Sequence, residues 1–236
     1  MTTRILAMVK PLALSLFAIA FFALAQGVAK ADEVFIAGFT NGCFGVACAP
    51  STTATSGGLT YSNSTFSGTT ANGFRAIGGN PNPGSNFNNL GSVSLSTAPQ
   101  SYNTPFTLQV TFTAPQGITG SNSATFTATI TGTVRSDNTG GVFIDFNNTP
   151  ITFTFNDTNC EPNPEAQPPS AGNTTCGTGS FNFSVNDISI DPGQTVSLSG
   201  QITGAQQSTV PEPMTMLLFG TGLSGVAAFA RRRRKR

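Results

Sequence analysis

Phe106-Thr107-Leu108-Gln109-Val110-Thr111-Phe112-Thr113 is the stretch that decides the fold. Its apolar residues, Phe106, Leu108, Val110 and Phe112, fall on every second position and the polar ones fill the gaps. Successive side chains of an extended strand point to opposite faces, so this segment presents one greasy face and one hydroxyl face. A strand buried on both sides would instead read as a continuous apolar run, so clean alternation points to an antiparallel sheet with one face in water.

The same signature recurs outward from this segment. It appears in Phe126, Ala128, Ile130 and Val134, in Ile151, Phe153 and Phe155, in Phe181, Phe183 and Val185, and in Val196, Leu198 and Ile202. Weaker alternation runs through Val34 to Phe39, Leu59 to Phe66, Val93 to Leu95 and Val142 to Phe146. Gly-Gly at 57, 78 and 140, Pro-Gln-Gly at 115 and Asp-Pro-Gly at 191 punctuate these runs as turns. About nine strands with polar outer faces predict an all-β fold, an antiparallel β-sandwich of jelly-roll or immunoglobulin-like kind made of two packed sheets.

Charge is spread unevenly along the 236 residues. From Asp32 to Thr209 nine acids face only Arg75 and Arg135, so 2 − 9 gives −7, and lysine is missing there. Six of the eleven basic residues form one terminal run, an asymmetry that bears on membrane topology and argues against nucleic-acid binding. The chain has no histidine, which removes Ser-His-Asp and Cys-His catalysis and histidine metal sites. Paired carboxylates could serve a glycosidase, but nothing in the spacing of the acids orders them into a pair. The expectation is therefore no enzyme, no catalytic residue and no bound cofactor. Calcium is the one metal the composition suits, with Asp157 and Glu161, or Asp187 and Asp191, as weak ligand candidates at loop ends.

All four cysteines, at 43, 48, 160 and 176, lie in this middle region. An even count in an exported chain predicts two disulfides, and of the three pairings proximity favours Cys43–Cys48 and Cys160–Cys176. Residues 78–89 and 161–173 are rich in Pro and Asn and read as loops.

The two ends read as targeting segments. Arg4 and Lys10 precede an apolar run from Leu12 to Ala25 and then Ala29-Lys30-Ala31, the A-x-A pattern of a secretory signal peptide cut after Ala31. At the C-terminus Val210-Pro211-Glu212-Pro213 is followed by apolar residues 214–230 and by Arg231-Arg232-Arg233-Arg234-Lys235-Arg236. Seventeen residues at ~1.5 Å each make about 25 Å of helix, enough to cross a bilayer core. The basic cluster stops transfer and stays on the cytoplasmic side, which places the preceding domain outside. Pro211 and Pro213 hold Glu212 in an extended shape of the kind a peptidase grips.

This tripartite tail resembles the PEP-CTERM sorting signal. The resemblance implies processing by an exosortase, a membrane-embedded cysteine peptidase of Gram-negative bacteria that accompanies exopolysaccharide production. The expected organisation is a signal peptide at 1–31, an exported β-sandwich domain at 32–209 and a sorting signal at 210–236, with its motif at 210–213, a transmembrane helix at 214–230 and a basic tail at 231–236. Expected partners are signal peptidase, the Sec translocon, an exosortase-type peptidase, the inner membrane before processing, and exopolysaccharide. The chain is expected to be transiently anchored in the inner membrane with its domain on the periplasmic side, then to reach the cell surface or the extracellular matrix. A secreted carbohydrate-binding module is the alternative function, and a secreted hydrolase the third.

Overall fold

A computed structural model describes residues 30–31, 33–78, 88–158 and 177–208. The chain divides into two compact units, Met1–Lys30 and Ala31–Arg236. Fifteen strands are described and no helix is found among these residues. In chain order they are β1 (Lys30–Ala31), β2 (Phe35–Phe44), β3 (Thr53–Ser56), β4 (Leu59–Ser62), β5 (Thr65–Thr69), β6 (Arg75–Ile77), β7 (Ser92–Leu95) and β8 (Gln100–Ala114). They continue as β9 (Ser123–Val134), β10 (Gly140–Phe146), β11 (Ile151–Asp157), β12 (Gly177–Val185), β13 (Ile188–Ile190), β14 (Thr195–Ser197) and β15 (Gly200–Ser208).

A six-stranded sheet in the order β13-β10-β9-β8-β2-β5 forms the broad layer. A second sheet runs β11-β12-β15 with β6 also on β15, and a third runs β14-β7-β4-β3. Their registered pairings are antiparallel, as the alternation requires. Phe106, Leu108, Val110 and Phe112 of β8 all point inward and are fully or almost fully buried.

Two different sheets cover that one face. Near one end Phe106 meets Tyr61 of β4, their rings 5.5 Å apart. At the other end, about 20 Å along the strand, Phe112 meets Phe153, Phe181 and Phe183 at 4.7, 5.0 and 5.4 Å. The layers thus sandwich one continuous core, in which edge-to-face phenylalanines supply much of the contact.

Three expectations are corrected. First, the described residues form three sheets and fifteen strands, where the alternation pointed to two sheets and about nine strands. Leu59 to Phe66 is two strands in different sheets, because burial falls on odd positions at Leu59 and Tyr61 and on even ones from Ser64 onward. Second, Val196 to Ile202 also divides between two sheets at Leu198 and Ser199, but with its phase intact, so the corner leaves no mark in the pattern. Third, the decisive strand does not start at Phe106. It starts at Gln100 and runs through Pro105. Proline is tolerated because β2 ends at Phe44, opposite Phe106, so the missing N–H falls beyond the end of that ladder.

Candidate functional site

The outward face of the six-stranded sheet concentrates the polar groups. Along β9 the side chains of Thr125, Thr127, Thr129, Thr131 and Thr133 are all exposed in one line. Register places Thr129 between Pro105 and Asp145, and Thr131 between Asn103 and Phe143. Phe143 is 41% exposed and lies opposite Ser189 of β13. A ring beside hydroxyls and amides on a flat β surface can stack on an apolar face while its neighbours donate and accept hydrogen bonds.

Both tyrosines belong to the core. Tyr61 is fully buried and donates its hydroxyl to Thr40 Oγ1 at 2.8 Å, and Thr40 in turn donates to the Leu90 carbonyl at 3.1 Å. Burial pushes the Tyr61 hydroxyl up to about 12, against the pull of its bond to Thr40. Tyr102 is 6% exposed, so neither tyrosine offers a face to an outside ligand.

The acidic residues singled out in the sequence are scattered. Asp157 is buried, and its carboxylate accepts the Gln116 N–H at 3.2 Å. Asp187 accepts the Phe146 N–H at 2.8 Å and an Asn148 amide N–H at 3.3 Å, tying the β10–β11 connection to the β12–β13 connection. Asp187 and Asp191 flank the two ends of β13, about 13 Å apart along an extended chain. Asp157 lies at the end of the β11–β12 ladder away from Asp187, and that ladder alone is about 20 Å long. Among the described residues no three His, Cys, Asp or Glu side chains gather around a common point. In the β9–β10 turn Asp137 accepts both the N–H and the hydroxyl of Thr139, which holds its carboxyl below the usual range.

Cys43 and Cys48 form a disulfide with an S–S distance of 1.98 Å. It closes a short loop whose Gly45 N–H is held by the Pro105 carbonyl at 2.8 Å, and Val46 stands at the tip, 87% exposed. Ala31 falls in β1, while Ala29, Cys160, Glu161, Glu165, Cys176, the 210–213 motif, the apolar segment 214–230 and Arg231–Arg236 lie outside the described residues. No described helix is long and apolar enough to cross a membrane.

Residues 209–235 match the family model of the PEP-CTERM protein-sorting motif. The tail is a PEP-CTERM sorting signal. The motif implies that this chain is exported by way of a membrane-anchored C-terminal tail and processed by an exosortase. Neither the curated proteins nor the solved structures hold a match to this chain, so the PEP-CTERM assignment rests on the tail and does not extend to the β domain.

Sequence reasoning missed the exposed ring of Phe143. In Val142-Phe143-Ile144 all three residues are apolar, so alternation alone cannot say which of them faces out; pairing with Thr131 settles it. It also passed over Asn72-Gly73, a strong hairpin signal. These residues take φ of 51° and 71° in the turn that joins β5 to β6.

Proposed function

We propose that the protein is a non-enzymatic component of the cell surface or extracellular matrix, carried out by its signal peptide through the Sec translocon and held at the inner membrane by its PEP-CTERM tail until an exosortase cuts near Glu212. The motif at 209–235 carries this reading. The described residues support it as cargo, being a β domain built around one core with a disulfide-closed loop. Asp157 and Asp187 accept backbone N–H groups, which suits a structural use of these carboxylates better than a catalytic one. The engagement of the Asp187 carboxylate, and its separation from Asp191 along β13, also weigh against calcium at that pair. Calcium at Asp157 and Glu161 is tested by titration calorimetry of the chain, in which heat of binding would support a site and its loss in Asp157→Asn would place it.

Replacing Pro211, Glu212 and Pro213 together by alanine tests the sorting step in the native cell. The substituted chain is expected to stay with the inner membrane at full length while the wild type is shortened. If both chains are shortened and released alike, the exosortase reading fails.

A second reading, a carbohydrate-binding module that engages the cell's own exopolysaccharide, is favoured by one observation, the exposed Phe143 ring among Asn103, Thr131 and Ser189. Retention on that polysaccharide should drop in Phe143→Ala and persist in Phe74→Ala, which removes the other half-exposed ring among the described residues. Equal retention of the two variants would dismiss it. Hydrolysis of the polysaccharide during the same incubation would instead revive the hydrolase alternative.

A further inference from the structure

β5 is the outermost strand of the six-stranded sheet, and its inner side pairs with β2. An outermost strand ordinarily turns a row of N–H and C=O groups to the solvent, ready to pair with another chain. Here four groups of that row, the carbonyls of Thr65, Ser67 and Thr69 and the Ser67 N–H, are taken up by two side chains and one backbone group. Asn88, at φ 55°, donates its N–H to the Thr65 carbonyl at 2.9 Å and accepts the Ser67 N–H on its side-chain oxygen at 3.1 Å. Arg75 continues the row, its guanidinium donating to the carbonyls of Ser67 and of Thr69, the latter at 3.1 Å.

The local sequence is cut to fit this arrangement. Gly68 lies between the two carbonyls at φ 150°, and a methyl group there would overlap the Arg75 guanidinium. Arg75 itself is held by β6, which pairs with Gly200–Ile202 of β15 in the second sheet, so the guanidinium bridges the two layers. It is one of only two basic residues between Asp32 and Thr209.

The other margins are handled differently. β13 and β14 are three residues long and β3 is four. β11 is covered by the 117–119 segment, whose Thr119 N–H reaches the Thr154 carbonyl at 2.8 Å while Asn156 N–H reaches the Gly117 carbonyl at 2.9 Å.

We propose that Arg75 and Asn88 form a seal that stands in for a neighbouring strand and keeps β5 from pairing with β5 of a second copy of this chain. Antiparallel pairing about Ser67 would otherwise extend the sheet from one molecule into the next. The proposal goes beyond the sorting function and does not depend on it.

The test uses the full-length chain in detergent micelles with a Ser67→Cys reporter, alone and combined with Arg75→Met and Asn88→Ala. After mild oxidation the combined variant is expected to give a reducible dimer, linked through position 67 of both copies, at roughly ten times the yield of the reporter alone. Equal yields from the two folded proteins overturn the proposal. Should the combined variant not fold, Asn88→Ala alone with the reporter is read in the same way, a raised yield supporting the seal and an unchanged one refuting it.

Discussion

Tyr61 places a hydroxyl in a dry core, and that group can be titrated. Its pKa of about 12 in the fold against 10.0 in an open chain means that the folded protein keeps a proton the unfolded chain has already lost. The stabilisation is complete below pH 10 and disappears as pH rises toward 12, a decline of about 3 kcal/mol. Tyr61→Phe should cost about 1 kcal/mol at neutral pH, through loss of the bond to Thr40, and should flatten the decline. Denaturant melts at a series of alkaline pH values would check both; equal slopes in the two proteins would remove Tyr61 as the source. Phe112 is the other decisive residue, because four aromatic neighbours from β5, β11 and β12 surround it. Phe112→Ala should lower unfolding stability by about 3 to 5 kcal/mol, and a loss below about 1 kcal/mol in the same melts would contradict its place at the centre of the core.

At the scale of elements, the Cys43–Cys48 bridge and the proposed Cys160–Cys176 bridge act on loops of different length. Cys43–Cys48 encloses only a few residues, so breaking it with Cys43→Ser and Cys48→Ser together should cost about 2 kcal/mol in the chain-entropy picture. Thermal melts of the variant and of the oxidised chain compare the two states directly, and equal stability would make the bridge dispensable. The Cys160–Cys176 pairing gains support from register. Asp157 lies opposite Gly177, so the chain leaves β11 and enters β12 at adjacent points, three residues from Cys160 and one from Cys176. Non-reducing peptide mapping should find these two cysteines joined; free thiols at both positions would refute it.

How far the elements could be read from sequence follows from what alternation records. Phe106 to Phe112 gave the class of fold and the inward face correctly, because one buried side imposes period two whatever the partner sheet. Alternation is silent on where a strand changes partner sheet, so the corner at Leu198 went unread. Short strands such as β6 and β13, at three residues each, hold too few side chains to establish a period. The candidate site was legible only in its targeting part. A tail signal depends on composition in sequence order, whereas the β surface around Phe143 is assembled from β8, β9, β10 and β13 and exists only after pairing.

For the whole molecule, scarcity of basic residues sets how the domain meets its surroundings. Between Asp32 and Thr209 trypsin has two targets, Arg75 and Arg135. The first is engaged with the β5 carbonyls, while the second is exposed at the head of the β9–β10 turn. Native digestion should therefore nick this region after Arg135 alone, and Arg135→Gln should leave it whole; rapid cutting after Arg75 would mean that its contacts open easily.

The same scarcity sharpens the contrast with the tail, whose six basic residues follow its apolar segment; in the topology proposed above this cluster holds back from crossing. The intact mass of the protein recovered from the surface and medium of its native cell tests this account most directly. The expected species begins at Asp32, carries four hydrogens fewer than its reduced form because both cysteine pairs are bridged, and ends close to Glu212. A mature protein that still carries Arg231–Arg236 outside the cell would contradict it.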